Sequence, residues 1–117
     1  MFHLNANLVV YLHRAAIDFR KNINGLSGMV EHELRFDPFA QAVFVFGNRR
    51  KDRIKILGWD RNGFWLLQKR LESARFVWPR EDTPVIELTV QQLHWLLGGI
   101  DLAAMRGHAA ISYQRAA

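Results

Sequence analysis

Residues 42–79 read AVFVFGNRRKDRIKILGWDRNGFWLLQKRLESARFVWP, and every short apolar run in this stretch is bracketed by arginine or lysine. It holds three of the four tryptophans (Trp59, Trp65, Trp78) and four of the eight phenylalanines. The opening run, Ala42 to Phe46, is apolar without interruption, the pattern of a strand covered on both faces. Two further strands are predicted over Arg53 to Trp59 and Phe64 to Leu71. Between them lies Asp60-Arg61-Asn62-Gly63, whose Asn-Gly pair is a strong short-range hairpin signal. A short strand over Arg75 to Trp78 should follow and stop at Pro79. The stretch reads as a twisted antiparallel sheet.

The hairpin divides its residues between two faces. Side chains alternate along a strand, and an even-numbered connection puts residues of opposite parity on the same face across the turn. One face then carries Ile54, Ile56, Gly58, Trp65, Leu67, Lys69 and Leu71, and it is the better core face. The other carries Arg53, Lys55, Leu57, Trp59, Phe64, Leu66, Gln68 and Arg70, mixing aromatic with cationic side chains. A nucleic-acid-binding sheet uses that mixture: phosphates attract the cations, and a base stacked on Trp or Phe is worth about 1–3 kcal/mol on single strands. The competing arrangement buries Leu57, Trp59, Phe64 and Leu66 under a helix and leaves the basic groups at the rim.

Outward from the sheet, Leu8 to Leu12 (LVVYL) is rich in β-branched and aromatic residues and predicts a strand. After the DFRK block at Asp18 to Lys21, Asn22 offers a helix cap. Ile23, Leu26, Val30 and Leu34 then recur at three- and four-residue intervals along one side, until Asp37-Pro38 turns the chain away from helical angles. Val85 to Leu88 predicts a further strand. Thr89 with Gln92 three residues later forms a capping-box pattern. It opens a helix whose apolar stripe is Leu93, Leu96, Leu97 and Ile100, with Trp95 at the border and Gly98-Gly99 as the stop. The expected fold is α+β: a single domain over 1–117 with its core within 8–101, a twisted antiparallel sheet of four to six strands packed with two helices, and a loosely ordered tail over 105–117.

A chain of 117 residues is one ordinary domain, and its balance of half hydrophobic and about a quarter charged residues is that of a folded protein. With no cysteine, neither disulfides nor thiolate metal sites are available. The first residues lack a basic segment or cleavage pattern, and no run approaches the roughly 18 apolar residues of a membrane span. An intracellular, cytoplasmic protein without membrane contact is expected. The net charge of +5 is unevenly spread: from Arg49 to Arg80 ten cations face three acids, whereas the remainder carries six against eight. Such a local basic patch is the footprint of a protein that meets phosphates, although lysine and arginine also serve to blunt sheet edges.

Catalytic constellations are scarce. His3, His13, His32, His94 and His108 show no metal-ligand spacing. Asp18, Asp37, Asp60 and Glu72 belong to no recognisable metal motif, and Asp60 and Asp37 are most simply turn residues. No phosphate-cradling GxxxxGK loop, GxSxG elbow or HExxH helix occurs. The expectation is a protein with no catalytic residue, metal or other cofactor, a metal-dependent nuclease being the minor reading.

Three blocks in order, DFRKNINGLSGMV, FVFGNRRKDRIKILGWDRNGFWLLQKRLESARFVWP and LTVQQLHWLLGGID, resemble the second-open-reading-frame product, called TnpB or Orf2, of bacterial insertion sequences of the sixty-six type. The resemblance covers roughly Leu8 to Asp101. It departs from the family pattern at Phe19, where DMRK is usual, and at Ala74, where glycine is usual. The resemblance implies an accessory protein of transposition, encoded beside a separate transposase that carries the chemistry. By residue, it directs attention to Arg20 and Lys21 of the DFRK block and to Arg49, Arg50, Arg53, Lys55, Lys69 and Arg70, to which the basic turn adds Lys51. In the DNA-binding reading these meet the phosphates of element ends, with Trp59 and Phe64 as stacking or partner contacts. In the alternative, the protein is an adaptor that binds the transposase or other copies of itself without touching DNA.

Overall fold

A computed structural model, describing residues 4–105 and the backbone of 114–115, runs β1 (Val9–His13), α1 (Ile23–Gly28), β2 (Ala42–Gly47), β3 (Arg53–Asp60), β4 (Gly63–Arg70), β5 (Val85–Leu88), α2 (Val90–Leu97) and β6 (Gln114–Arg115). The strands form one sheet in the order β4-β3-β2-β1-β5-β6. The fold is α+β, as expected. The sheet is mixed instead of wholly antiparallel, because the crossover that carries α1 brings β2 back beside β1 in the same direction. The remaining pairs are antiparallel.

All six residues of β2 are buried, and the reason is a helix on either side of the sheet. Val43 and Val45 join Val10, Leu12, Ile54, Ile56 and Ile86 with Leu93 and Leu96 of α2. Ala42, Phe44 and Phe46 join Leu57 with Leu26, Met29 and Val30 from the α1 side. Fully burying a side chain of this size is worth about 1.5–3 kcal/mol, so this one strand anchors both layers. The capping box at the start of α2 is formed: Gln92 N donates to Thr89 Oγ1 at 3.1 Å and Thr89 N donates to Gln92 Oε1 at 2.9 Å. Gly99, at φ 81, ends that helix region, and Trp95 is half-buried against the core, as a border residue should be.

Four local expectations are corrected. Arg75 to Trp78 is an extended link and not a strand, because its anchors run to a loop: Leu71 N donates to Asp52 O at 2.8 Å and Phe76 N to Lys51 O at 2.7 Å. Those partners precede β3, so no ladder builds. The first helix is short and passes into a π-helical turn, Met29–Glu33, in which Leu34 N donates to Met29 O at 3.0 Å. It ends at Arg35, which adopts φ 62, before Asp37-Pro38 is reached. The hairpin turn centres on Arg61 and Asn62, with Asp60 paired to Gly63, one residue earlier than the Asn-Gly pair suggests. Its two-residue length nevertheless preserves the predicted division of faces. Finally, part of the tail is ordered into the sheet, Gln114–Arg115 pairing with β5. The rest of the tail beyond Met105, with His3 and His108, lies outside the described residues. Among the described residues no helix is long and apolar enough to cross a membrane.

Candidate functional site

Because β1 and β2 are parallel, both release the chain at the same end of the sheet, Arg14 following β1 and Asn48 following β2. A cleft of about 590 Å³ opens there, lined by Arg14, Arg49, Arg50, Lys51, Arg75 and Arg80 together with Phe76, Val77, Trp78 and Pro79. No acidic residue is among the described residues that line it. One wall is the loop between β2 and β3. Its Asn48 amide accepts from Asp52 N and Arg53 N, each at 3.1 Å, and donates to Asp52 Oδ1 at 2.6 Å. That amide bond is the chief reason the Asp52 carboxyl lies below its ordinary value. Lys51 completes the loop at φ 59, a conformation glycine adopts at less cost. The other wall is the extended link, tied to the loop through Phe76 and to the end of β1 by Trp78 Nε1, which donates to Arg14 O at 3.0 Å. Arg14 Nε in turn donates to Thr83 O at 3.0 Å. The Trp78 ring lies so close to Gly47 that a Cβ there would stand 2.7 Å from Cη2. Over that ring sits the Lys51 ammonium, 4.6 Å from the centroid, pushed below its ordinary pKa by burial.

The nine cations singled out from the sequence divide by environment. Arg49 and Arg50 are exposed and, like Arg75 and Arg80, engage in no hydrogen bond or salt bridge among the described residues. Lys51 joins them at the cleft. Arg20 is held by Asp18, Nη2 to Oδ2 at 2.7 Å, and Arg70 by Glu72, Nε to Oε2 at 3.0 Å. The Arg20 hydrogen bonds hold the Asp18 carboxyl at about 2. Lys69 donates to Leu97 O at 2.7 Å. Arg53 is half-buried directly across from Arg70, with Nε buried and unpartnered among the described residues. Lys55 is 4% exposed, and its ammonium donates to Phe19 O at 2.8 Å, Lys21 O at 2.7 Å and Asn22 Oδ1 at 3.3 Å. Its charge is therefore spent inside the protein, fastening the DFRK turn to β3. Asn22, expected to cap α1, gives its side chain to this lysine and makes no cap bond. Lys21 is exposed on the α1 side of the sheet.

Trp59 and Phe64 are half-buried against one another, centroids 5.0 Å apart, and both meet Phe39, at 4.8 and 5.6 Å. Phe39 is the outward member, 54% exposed. Leu57 beneath them is buried by α1. The aromatic group and the cationic cleft are thus separate features and not one mixed face. Sequence reasoning missed Arg14, Arg75 and Arg80 as site residues. Arg75 and Arg80 belong to the basic surplus, but Arg75 falls in the stretch expected to be a strand and Arg80 in the polar link after it. Arg14 becomes a neighbour only through the parallel pairing of β1 with β2, which no local pattern reports.

Among the described residues no three His, Asp or Glu side chains gather as metal ligands would. The chain matches the family described as IS66 Orf2 like protein over residues 8–107. Over 85 residues it is 34% identical to the uncharacterized protein y4jC of Sinorhizobium fredii, an overlap of 73% of each chain. Over 95 residues it is 34% identical to the uncharacterized protein y4hO of the same organism, covering 81% of this chain and 83% of the relative. No solved structure matches the chain.

Proposed function

The chain belongs to the family of IS66 Orf2-like proteins, which points to an accessory role in transposition, and from that premise we propose that it holds the element's DNA for a separate transposase through the arginine-lined cleft. The observation that carries this reading is the collection of six cationic side chains around one cleft with no lining carboxylate among the described residues, four of them arginines that make no hydrogen bond or salt bridge among those residues. Phosphates supply the missing negative charge and release counterions as they bind. The protein is read as non-catalytic, a grip and not a blade. Mobility shift of element-end DNA at low salt tests it: the protein should retard the DNA, and retardation should fade steeply as salt rises. No shift at low salt refutes the DNA-binding reading.

A second reading is favoured by Phe39, which lies exposed on Trp59 and Phe64. Aromatic residues of this kind anchor protein interfaces. In this reading the surface docks the transposase. Retention of transposase in a pull-down treated with nuclease, lost on Phe39→Ser, would support it, and failure to retain transposase would count against it.

A further inference from the structure

Resting on the DNA-binding reading of the cleft, we propose that it takes the phosphodiester backbone alone and touches no base, so that the protein grips DNA without regard to sequence. Three observations lead there. First, the polar side chains lining the cleft are arginine and lysine only. These groups donate hydrogen bonds and accept none, so the cleft offers no acceptor for the amino groups of cytosine and adenine, and guanine's O6 and N7 are the one base edge its cations could match in full. Second, no aromatic face is available for stacking. Phe76 is 3% exposed. Trp78 has its six-membered ring against Gly47, its N–H on the Arg14 carbonyl and the Lys51 ammonium above it. Single-strand binders keep such faces open for bases. Third, the cleft is made by a loop and an extended link at the end of the sheet, so no helix or strand projects from it into a groove. What remains is two walls of guanidinium groups braced against each other by Phe76 N to Lys51 O. That arrangement suits a strand of phosphates passing between them, and phosphate contacts position a duplex without reading it.

The experiment is fluorescence anisotropy with the full chain and two labelled duplexes of equal length, one carrying an element end and one with that sequence scrambled. Both should bind with Kd values within about twofold of each other, since backbone contacts carry no sequence information. The slope of log K against log salt should be no steeper than about −5.4, six cations contributing about −0.9 each. The double variants Arg49→Glu/Arg50→Glu and Arg75→Glu/Arg80→Glu should each flatten that slope by about 2 and weaken both duplexes equally. An unchanged circular dichroism spectrum and a melting temperature no lower than that of the parent chain in both variants would show that the fold survives. A preference of tenfold or more for the element end overturns the proposal while leaving DNA binding intact. So does tighter binding of a single strand of the same length, and so does sequence-neutral binding that neither double variant weakens. Failure of both duplexes to bind in low salt overturns the DNA-binding reading itself, and the proposal falls with it.

Discussion

Lys55→Met separates a cation that serves the fold from one that serves a ligand. The ammonium is almost wholly enclosed, with short bonds to the Phe19 and Lys21 carbonyls at 2.8 and 2.7 Å and the Phe19 ring 4.8 Å away. A hydrogen bond to a charged group is worth about 1.5–3 kcal/mol, so the two short bonds amount to about 3–6 kcal/mol before the cost of burying the charge. That cost is real: burial pushes the Lys55 ammonium below its ordinary pKa, with the Asp18 carboxylate opposing. Methionine keeps most of the packing of the stem. The expected net loss is about 2–3 kcal/mol, or about 10 °C in melting temperature for a chain of this length. Urea denaturation followed by tryptophan fluorescence gives the stability. Hydrogen exchange should quicken at amides 17–22, and the salt slope of DNA binding should stay where it was. The reasoning is refuted if stability changes by less than about 0.5 kcal/mol while the salt slope drops by about 1. That pair of results would mean the ammonium meets a phosphate and not the two carbonyls.

Gly47→Ala should destabilise the protein by about 1–3 kcal/mol, because its Cβ would lie 2.7 Å from Cη2 and 3.0 Å from Cζ2 of Trp78. The displaced ring lines the cleft, so DNA affinity should fall as well; melting and anisotropy measured together check this, and an unchanged pair would show that the ring yields freely. The Asp18 carboxyl, held at about 2 chiefly by the Arg20 side chain, lies below its unfolded value of about 3.9, so its stabilisation is complete above that value and is lost as the pH falls through about 2. Acid unfolding should therefore show a component between about pH 4 and 2 that Asp18→Asn removes; persistence of that component in the variant would assign it to another group.

The fold was legible wherever one element's own pattern decides its state. The unbroken apolar run of β2 needs both faces covered, and Thr89 with Gln92 caps α2 through its own side chains. The division of the β3–β4 hairpin survived an error of one residue in the turn, because parity depends on an even loop length and not on its position. What was not legible depends on distant partners. Arg75 to Trp78 has the composition of a strand, but the only backbone beside Phe76 is the loop at Lys51, and the parallel pairing of β1 with β2 rests on where the crossover lands. Propensity reports how well a residue suits a strand and is silent on whether a strand lies next to it.

The candidate site follows the same logic for charge. A count of cations measures how much positive charge the stretch holds, whereas binding depends on how much is left over after the protein has used its share. Some of that use is local. Asp18 precedes Arg20 by two residues and Glu72 follows Arg70 by two, and each pair closes on itself at the surface. Such exposed pairs add little to stability, but each one cancels a charge that an incoming phosphate would otherwise meet. The use made of Lys55 is not local, since its carbonyl partners lie more than thirty residues away in sequence. Among the described residues that line the cleft, this leaves Arg49, Arg50, Arg75 and Arg80 as arginines without a hydrogen bond or salt bridge to another described residue. They converge because the loop after β2 and the link before β5 meet at the end of the sheet where β1 and β2 stop. Repulsion among them is a standing cost to the fold, and a polyanion seated in the cleft relieves it. That relief is part of the binding free energy, so at a fixed DNA concentration the melting temperature should rise most at low salt, where affinity is highest, and progressively less as salt screens the arginines.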